Sequence, residues 1–118
     1  MPNLDILKQL IADVGADTAL NLLDIFKDDA DKRLAAIADY LENGGDVAHL
    51  RVQAHSLKGL CRTYGAPDGG EAARMLQDAC DAGASEPDIR ALAEAALKII
   101  PVDMAAAIDA AHALHKQA

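Results

Sequence analysis

At 118 residues the chain fits a single domain, residues 1–118, whose one hydrophobic core needs no disulfide or metal staple. Hydrophobic residues make up 52% and aromatic residues only 3%, with no tryptophan, and alanine dominates the apolar set, which suits close-packed helices better than a sheet. A formal charge of −8 and a pI near 4.7 argue against nucleic acid and anionic membrane surfaces as partners, because both are polyanions.

The partner to expect is therefore another protein. No run of about 18 apolar residues is present to span a bilayer, and the opening MPNLDILKQL has neither the basic nor the apolar region of a secretory signal, so the cytoplasm is the expected compartment. Cys61 and Cys80 are not spaced as CxxC and read as two small buried hydrophobes, not as a disulfide or a metal site.

In chain order, Leu4, Leu7, Ile11 and Val14 recur at three- and four-residue steps before Gly15, predicting a short helix that serves as a lid on the core. Asp17 or Thr18 is expected to cap a second, long helix with the stripe Leu23, Phe26, Ala30, Leu34, Ile37 and Leu41, ended by Asn43-Gly44-Gly45. Asp46 is the expected cap of a third helix, whose inward stripe is Val47, Leu50, Ala54, Leu57, Cys61 and Tyr64 and which Gly65 closes. After a turn at Gly65-Ala66-Pro67-Asp68, a fourth helix follows on Ala72, Leu76, Ala79 and Cys80 and stops near Gly83. Ser85-Glu86-Pro87-Asp88 then reads as a helix start for a last region running towards Lys116, with a stripe beginning Ile89, Leu92, Ala96 and Ile99 and a kink or break at Pro101. The short connections make consecutive helices antiparallel neighbours, so the expected fold is all-α: an antiparallel up-down-up-down four-helix bundle with an additional short N-terminal helix.

The stretch AHSLKGLCRTYGA, from Ala54 to Ala66, is unusual within that scheme. At 100° per residue, His55 lies roughly 130° from the centre of the inward stripe and so faces solvent. Arg51, Lys58, Gly59 and Arg62 share its face. Residues Asp46 to Ala66 carry a formal charge of +2, while the rest of the chain carries −10, so an acidic protein presents a locally basic face suited to an anion. A neutral imidazole is a nucleophile that can take a phosphoryl group. The Lys58 ammonium, one turn on, can meet the phosphoryl oxygens of the product. A glycine inside a helix costs about 1 kcal/mol relative to alanine; at Gly59 the gain is room for another protein's surface to approach His55 for in-line transfer.

The residues Ala54-His-Ser-Leu-Lys-Gly59, with Gly65-Ala66 following, resemble the signature of histidine phosphotransfer domains, the helical carriers of multistep two-component phosphorelays, and the helix pattern is similar across most of the chain. The resemblance implies that His55 is the phosphorylated residue, that Lys58 assists the phosphoryl group, that Gly59 leaves room for a docking receiver domain, and that Gln77 hydrogen-bonds the histidine ring. Antiparallel geometry agrees on Gln77, since it and His55 fall at nearly the same level, roughly 15 to 18 Å from the turn at Gly65. The implied partners are response-regulator receiver domains and a hybrid or sensor histidine kinase. The chain would act as a monomeric carrier with no cofactor and no kinase activity of its own, Mg2+ being expected in the partner's acidic pocket. Leu60, Arg62 and Thr63-Tyr64 depart from the family's common residues. Arg51 and Arg62 on the basic face, with Val52 and Leu60 flanking it, are the candidate partner-binding residues.

Three other classes compete. An autokinase needs an ATP-binding domain, and no nucleotide motif is present, although the phosphoacceptor domain of a chemotaxis-type kinase has a closely similar motif; the Met1 start favours a free-standing protein. A metal-binding bundle would draw on Asp109, His112 and His115, a spacing with no matching carboxylates on other helices. A helical adaptor without covalent chemistry would not need His55.

Overall fold

The computed structural model describes residues 1–117. Five helices follow one another: α1 (Leu4–Val14), α2 (Ala16–Asn43), α3 (Val47–Thr63), α4 (Pro67–Asp81) and α5 (Glu86–Gln117). Helices α2 to α5 form the antiparallel bundle, each packing on its neighbours in the order α2, α3, α4, α5 and back to α2.

The lengths are uneven, and this shapes the molecule. α2 has 28 residues and α5 has 32, whereas α3 and α4 have 17 and 15, so the α3–α4 hairpin covers only part of the long pair. α1 packs on α2 and α5 beyond the hairpin's turn and continues the bundle there, in a body 48 × 20 × 19 Å across. The Asn3 amide donates to the Gly65 carbonyl at 2.9 Å, tying the start of α1 to that turn. Gly65 has φ 78°, and a Cβ on it would meet the Asn3 carbonyl oxygen and Leu7 Cγ, both at 3.1 Å. Both its backbone angle and its crowding therefore require glycine.

The core is aliphatic and small-residued: Leu23, Phe26, Ala30 and Ile37 from α2, Leu50, Ala54, Leu57 and Cys61 from α3, Ala73 and Leu76 from α4, and Ala93, Ala96, Ile100, Ala107 and Ala111 from α5. The Tyr64 ring stacks on Phe26 with centroids 4.7 Å apart. A polar strand also crosses between α2 and α3. Arg33 Nη1 donates to Gln53 Oε1 at 3.2 Å, which turns the amide nitrogen of Gln53 towards His49 Nε2, also at 3.2 Å. An amide NH2 can only donate, so His49 Nε2 is the acceptor in that chain.

Several boundaries differ from the sequence reading, for local reasons. α2 begins at Ala16 and has no side-chain cap from Asp17 or Thr18; Gly15, at φ 87°, ends α1 and starts α2 at once. Asp46 caps α3 as expected, accepting from the Ala48 amide at 2.9 Å. α4 starts at Pro67, whose missing N–H is no loss at a first helical position. Its cap comes from elsewhere: the buried Asp103 of α5 accepts from the Gly69 amide at 2.7 Å. α5 is unbroken at Pro101. That residue is exposed, so the carbonyl it leaves without a donor opens towards water. Just before Pro101, Ile100 and not Ile99 points inward, and in α2 Tyr40 is buried more deeply than Leu41.

Gly69 is also a spacer. A Cβ there would lie 3.0 Å from Cys61 Sγ and 3.6 Å from Asp103 Oδ2, and neither group has room to move. At Gly70 the neighbour is Arg62 Cγ at 3.0 Å, part of an exposed chain that can swing aside. Around Gly59 nothing lies within 4 Å. Gly69→Ala is therefore expected to destabilise by about 1 kcal/mol, overpacking outweighing helix propensity, while Gly59→Ala stabilises by about 1 kcal/mol. Urea unfolding followed by circular dichroism checks both.

Burial, with the Asp103 charge as a smaller contribution, pushes the Cys61 thiol from 9.0 up to about 12. The folded protein thus holds the neutral thiol while the unfolded chain ionises, so this stabilisation is complete below about pH 9 and is lost as pH rises towards 12. Two outcomes are expected: iodoacetamide at pH 8 leaves Cys61 unmodified until the protein is unfolded in urea, and Cys61→Ala flattens the fall in stability above pH 9. Mass spectrometry and pH-dependent unfolding measure them.

Candidate functional site: the outer face of the α3–α4 hairpin

The site is built by the register of two antiparallel helices. His55 and Gln77 face one another across α3 and α4, with His55 Nδ1 3.3 Å from Gln77 Oε1. One turn back along α3 and one turn forward along α4, Arg51 pairs with Asp81 through its Nε and the carboxylate Oδ1. In the other direction, seven residues along each helix, the Arg62 side chain lies over Gly70. The small residues Gly69, Gly70 and Ala73 of α4 let the two backbones approach closely enough for these pairs to meet.

His55 is exposed while Gln77 is only 6% exposed, so the amide comes from beneath the ring. A carbonyl oxygen can only accept. Nδ1 therefore carries the proton and donates to Oε1, which leaves the Nε2 lone pair on the ring edge away from Gln77. The imidazole is held in one tautomer and one orientation by a single buried partner, as outer-shell partners hold histidines elsewhere.

The cations around it differ in their company. Arg51 is engaged by Asp81 across the hairpin, and is not a free charge on the basic face. Lys58, half-buried one turn after His55, has no carboxylate within salt-bridge distance among the described residues. Arg62 is exposed, and its charge helps to lower the Glu71 carboxyl, which Arg74 holds down chiefly by its hydrogen bond. On α4, Arg74 spans Glu71 and Asp78 and is fully engaged by them, so the uncompensated positive charge of the hairpin sits on α3.

Val52 is 49% exposed. Leu60 is half-buried and packs against the core, so it offers only part of its side chain to the surface. Gly59 lies between Lys58 and Leu60 with open space where a side chain would stand, and its carbonyl accepts from the Thr63 hydroxyl at 2.8 Å. Nothing in the packing of the bundle requires glycine there.

Two residues escaped the sequence reading. Asp81, four residues beyond Gln77, was legible in principle from the same register that pairs Gln77 with His55. Asp103 was not, because its role depends on a contact with a residue 34 positions away, on the neighbouring helix. The terminal histidines do not assemble a ligand set: His115 Nε2 lies 2.9 Å from Asp17 Oδ1 of α2, and among the described residues no group of three or more His, Cys, Asp and Glu side chains could hold a metal ion. No helix among the described residues is long and apolar enough to cross a membrane.

The family model described as Hpt domain matches residues 21–113. No curated protein and no solved structure matches the chain. The matched span takes in most of α2, all of α3 and α4, and nearly all of α5, and with them the exposed histidine, its buried glutamine and the open glycine. The chain belongs to the Hpt domain family, whose members carry out histidine phosphotransfer in two-component signalling.

Proposed function

We propose that the protein is a phosphorelay carrier in which His55 Nε2 is the phosphoacceptor. The observation that carries this reading is the His55–Gln77 pair, a surface imidazole whose proton is held on Nδ1 and whose lone pair faces outward. In the forward step a receiver domain bearing an aspartyl phosphate docks on the α3–α4 face. The Nε2 lone pair attacks phosphorus, the bond from phosphorus to the aspartate oxygen breaks, and the carboxylate leaves. Nδ1 keeps its proton throughout, its hydrogen bond to Gln77 strengthening as the ring gains positive charge. Transfer to a second receiver aspartate is the same step reversed.

Each neighbour has a part in this. Lys58 neutralises the phosphoryl oxygens as they arrive and, carrying no carboxylate of its own, does so without first breaking an ion pair. Gly59 admits the receiver's surface close to Nε2, which in-line transfer demands. Val52 and the exposed part of Leu60 supply apolar contact, and Arg62 supplies charge complementary to the receiver's acidic pocket, while Arg51, paired with Asp81, borders the docking face as a neutral pair. That pocket is also the expected source of Mg2+. A hybrid or sensor histidine kinase is the source of the phosphoryl group in the cytoplasm, and this chain works as a monomer that transfers without hydrolysing a small-molecule substrate.

Incubation with radiolabelled phospho-receiver domains is expected to label the wild type with an acid-labile, alkali-stable phosphate and to leave His55→Ala unlabelled. Equal labelling of both would overturn the assignment. Gly59→Gln, on a site where packing leaves open space, is expected to fold normally and to slow transfer about tenfold or more; rapid-quench kinetics checks it, and an unchanged rate removes the access argument. Lys58→Ala is expected to slow transfer by roughly tenfold as well, with the circular dichroism spectrum unchanged.

A further inference from the structure

The Arg51–Asp81 pair lies one helical turn from the His55–Gln77 pair on the same face. Arg51 is four residues before His55 on α3, so their Cβ atoms stand about 5–6 Å apart, and an arginine side chain pivoting at that position reaches the space above the ring. A guanidinium is the strongest phosphate ligand among the side chains because it binds two oxygens at once. An unpaired Arg51 has the reach to meet a phosphoryl group on Nε2. Asp81 engages it instead. It takes the Nε edge of the guanidinium and draws it towards α4, with the two side chains 42% and 46% exposed and therefore placed there by the pairing and not by packing.

Resting on the reading of His55 as phosphoacceptor, we propose that Asp81 is a positioning residue that keeps the phosphohistidine weakly held, by engaging Arg51 and leaving Lys58 as the cation that meets the phosphoryl group. A carrier must release what it accepts. An arginine clamp added to the lysine would stabilise the loaded form against both receivers and favour retention over onward transfer. The groups facing Arg51 support the assignment: Asp81 is its carboxylate partner, and both charges act on the neighbouring Cys80 thiol, which burial raises first, Asp81 raises further and Arg51 lowers.

The test loads His55 without a protein partner. Phosphoramidate donates its phosphoryl group directly to Nε2, the phosphorus–nitrogen bond of the reagent breaking as ammonia leaves, and 31P NMR then follows the pH titration of the phosphohistidine. In Asp81→Asn the released Arg51 is expected to lower the phosphoryl group's second pKa by about half a unit relative to wild type, equivalent to roughly a two- to fivefold tighter hold. The shift should disappear in Arg51→Gln/Asp81→Asn, and Asp81→Glu should titrate like wild type, while the melting temperatures of all four proteins stay close. Identical titrations of Asp81→Asn and wild type, or a shift that survives in the double variant, would overturn the role of Asp81 and leave His55 untouched. Failure of phosphoramidate to load His55 in the wild type would overturn the phosphoacceptor reading, and this proposal with it.

Discussion

The close approach of α3 and α4 is the constraint from which the rest of the site follows. Two helices in contact through bulky side chains would stand too far apart for an amide on one to reach a ring on the other. Here α4 turns Gly69, Gly70 and Ala73 towards α3, and the fit is tight enough that an added methyl at Gly69 would press on Cys61 Sγ. Once the spacing and the turn at Gly65 are set, the register has no freedom left. The pairs Arg51–Asp81, His55–Gln77 and Arg62–Gly70 are successive consequences of one geometric fact.

Glycine serves opposite ends along this hairpin. Gly65 and Gly69 are glycine because the interior leaves no space, one at a positive φ and both against neighbours that cannot retreat. Gly59 is glycine where there is space on every side. The first kind is explained by the fold alone, and substituting it harms the fold. The second is a local loss of helix stability that the bundle carries without any internal return, which is the pattern expected where surface shape is set by encounters with another molecule.

Much of this was legible in the residues. The 3.6-residue periodicity gave all five helices, Asp46 and Ser85 were recognisable as caps, and the spacing about Gly65 placed Gln77 beside His55. The sequence misled at places where a distant contact outweighs a local signal. Asp17 and Thr18 look like caps, but Gly15 joins α1 to α2 with no loop in which a cap could sit. Pro101 looks like a break, but it falls on the exposed side of a helix held against three others. The α4 start looked like a turn, because its capping carboxylate is supplied by Asp103, far along the chain. Arg51 looked like one of three equal cations, and only the opposing helix reveals that its charge is already engaged.

The two sides of α3 also answer to different demands. Leu50, Ala54, Leu57 and Cys61 face inward and are buried, whereas Val52, His55, Gly59 and Arg62 face out, and no residue of the first set belongs to the second. Changes on the outer side therefore have little to disturb within the core, and their effects on stability should combine almost independently of those beneath. A fold arranged in this way can exchange one set of recognition residues for another by single substitutions, so lineages descending from it can acquire new correspondents without passing through an unstable ancestor.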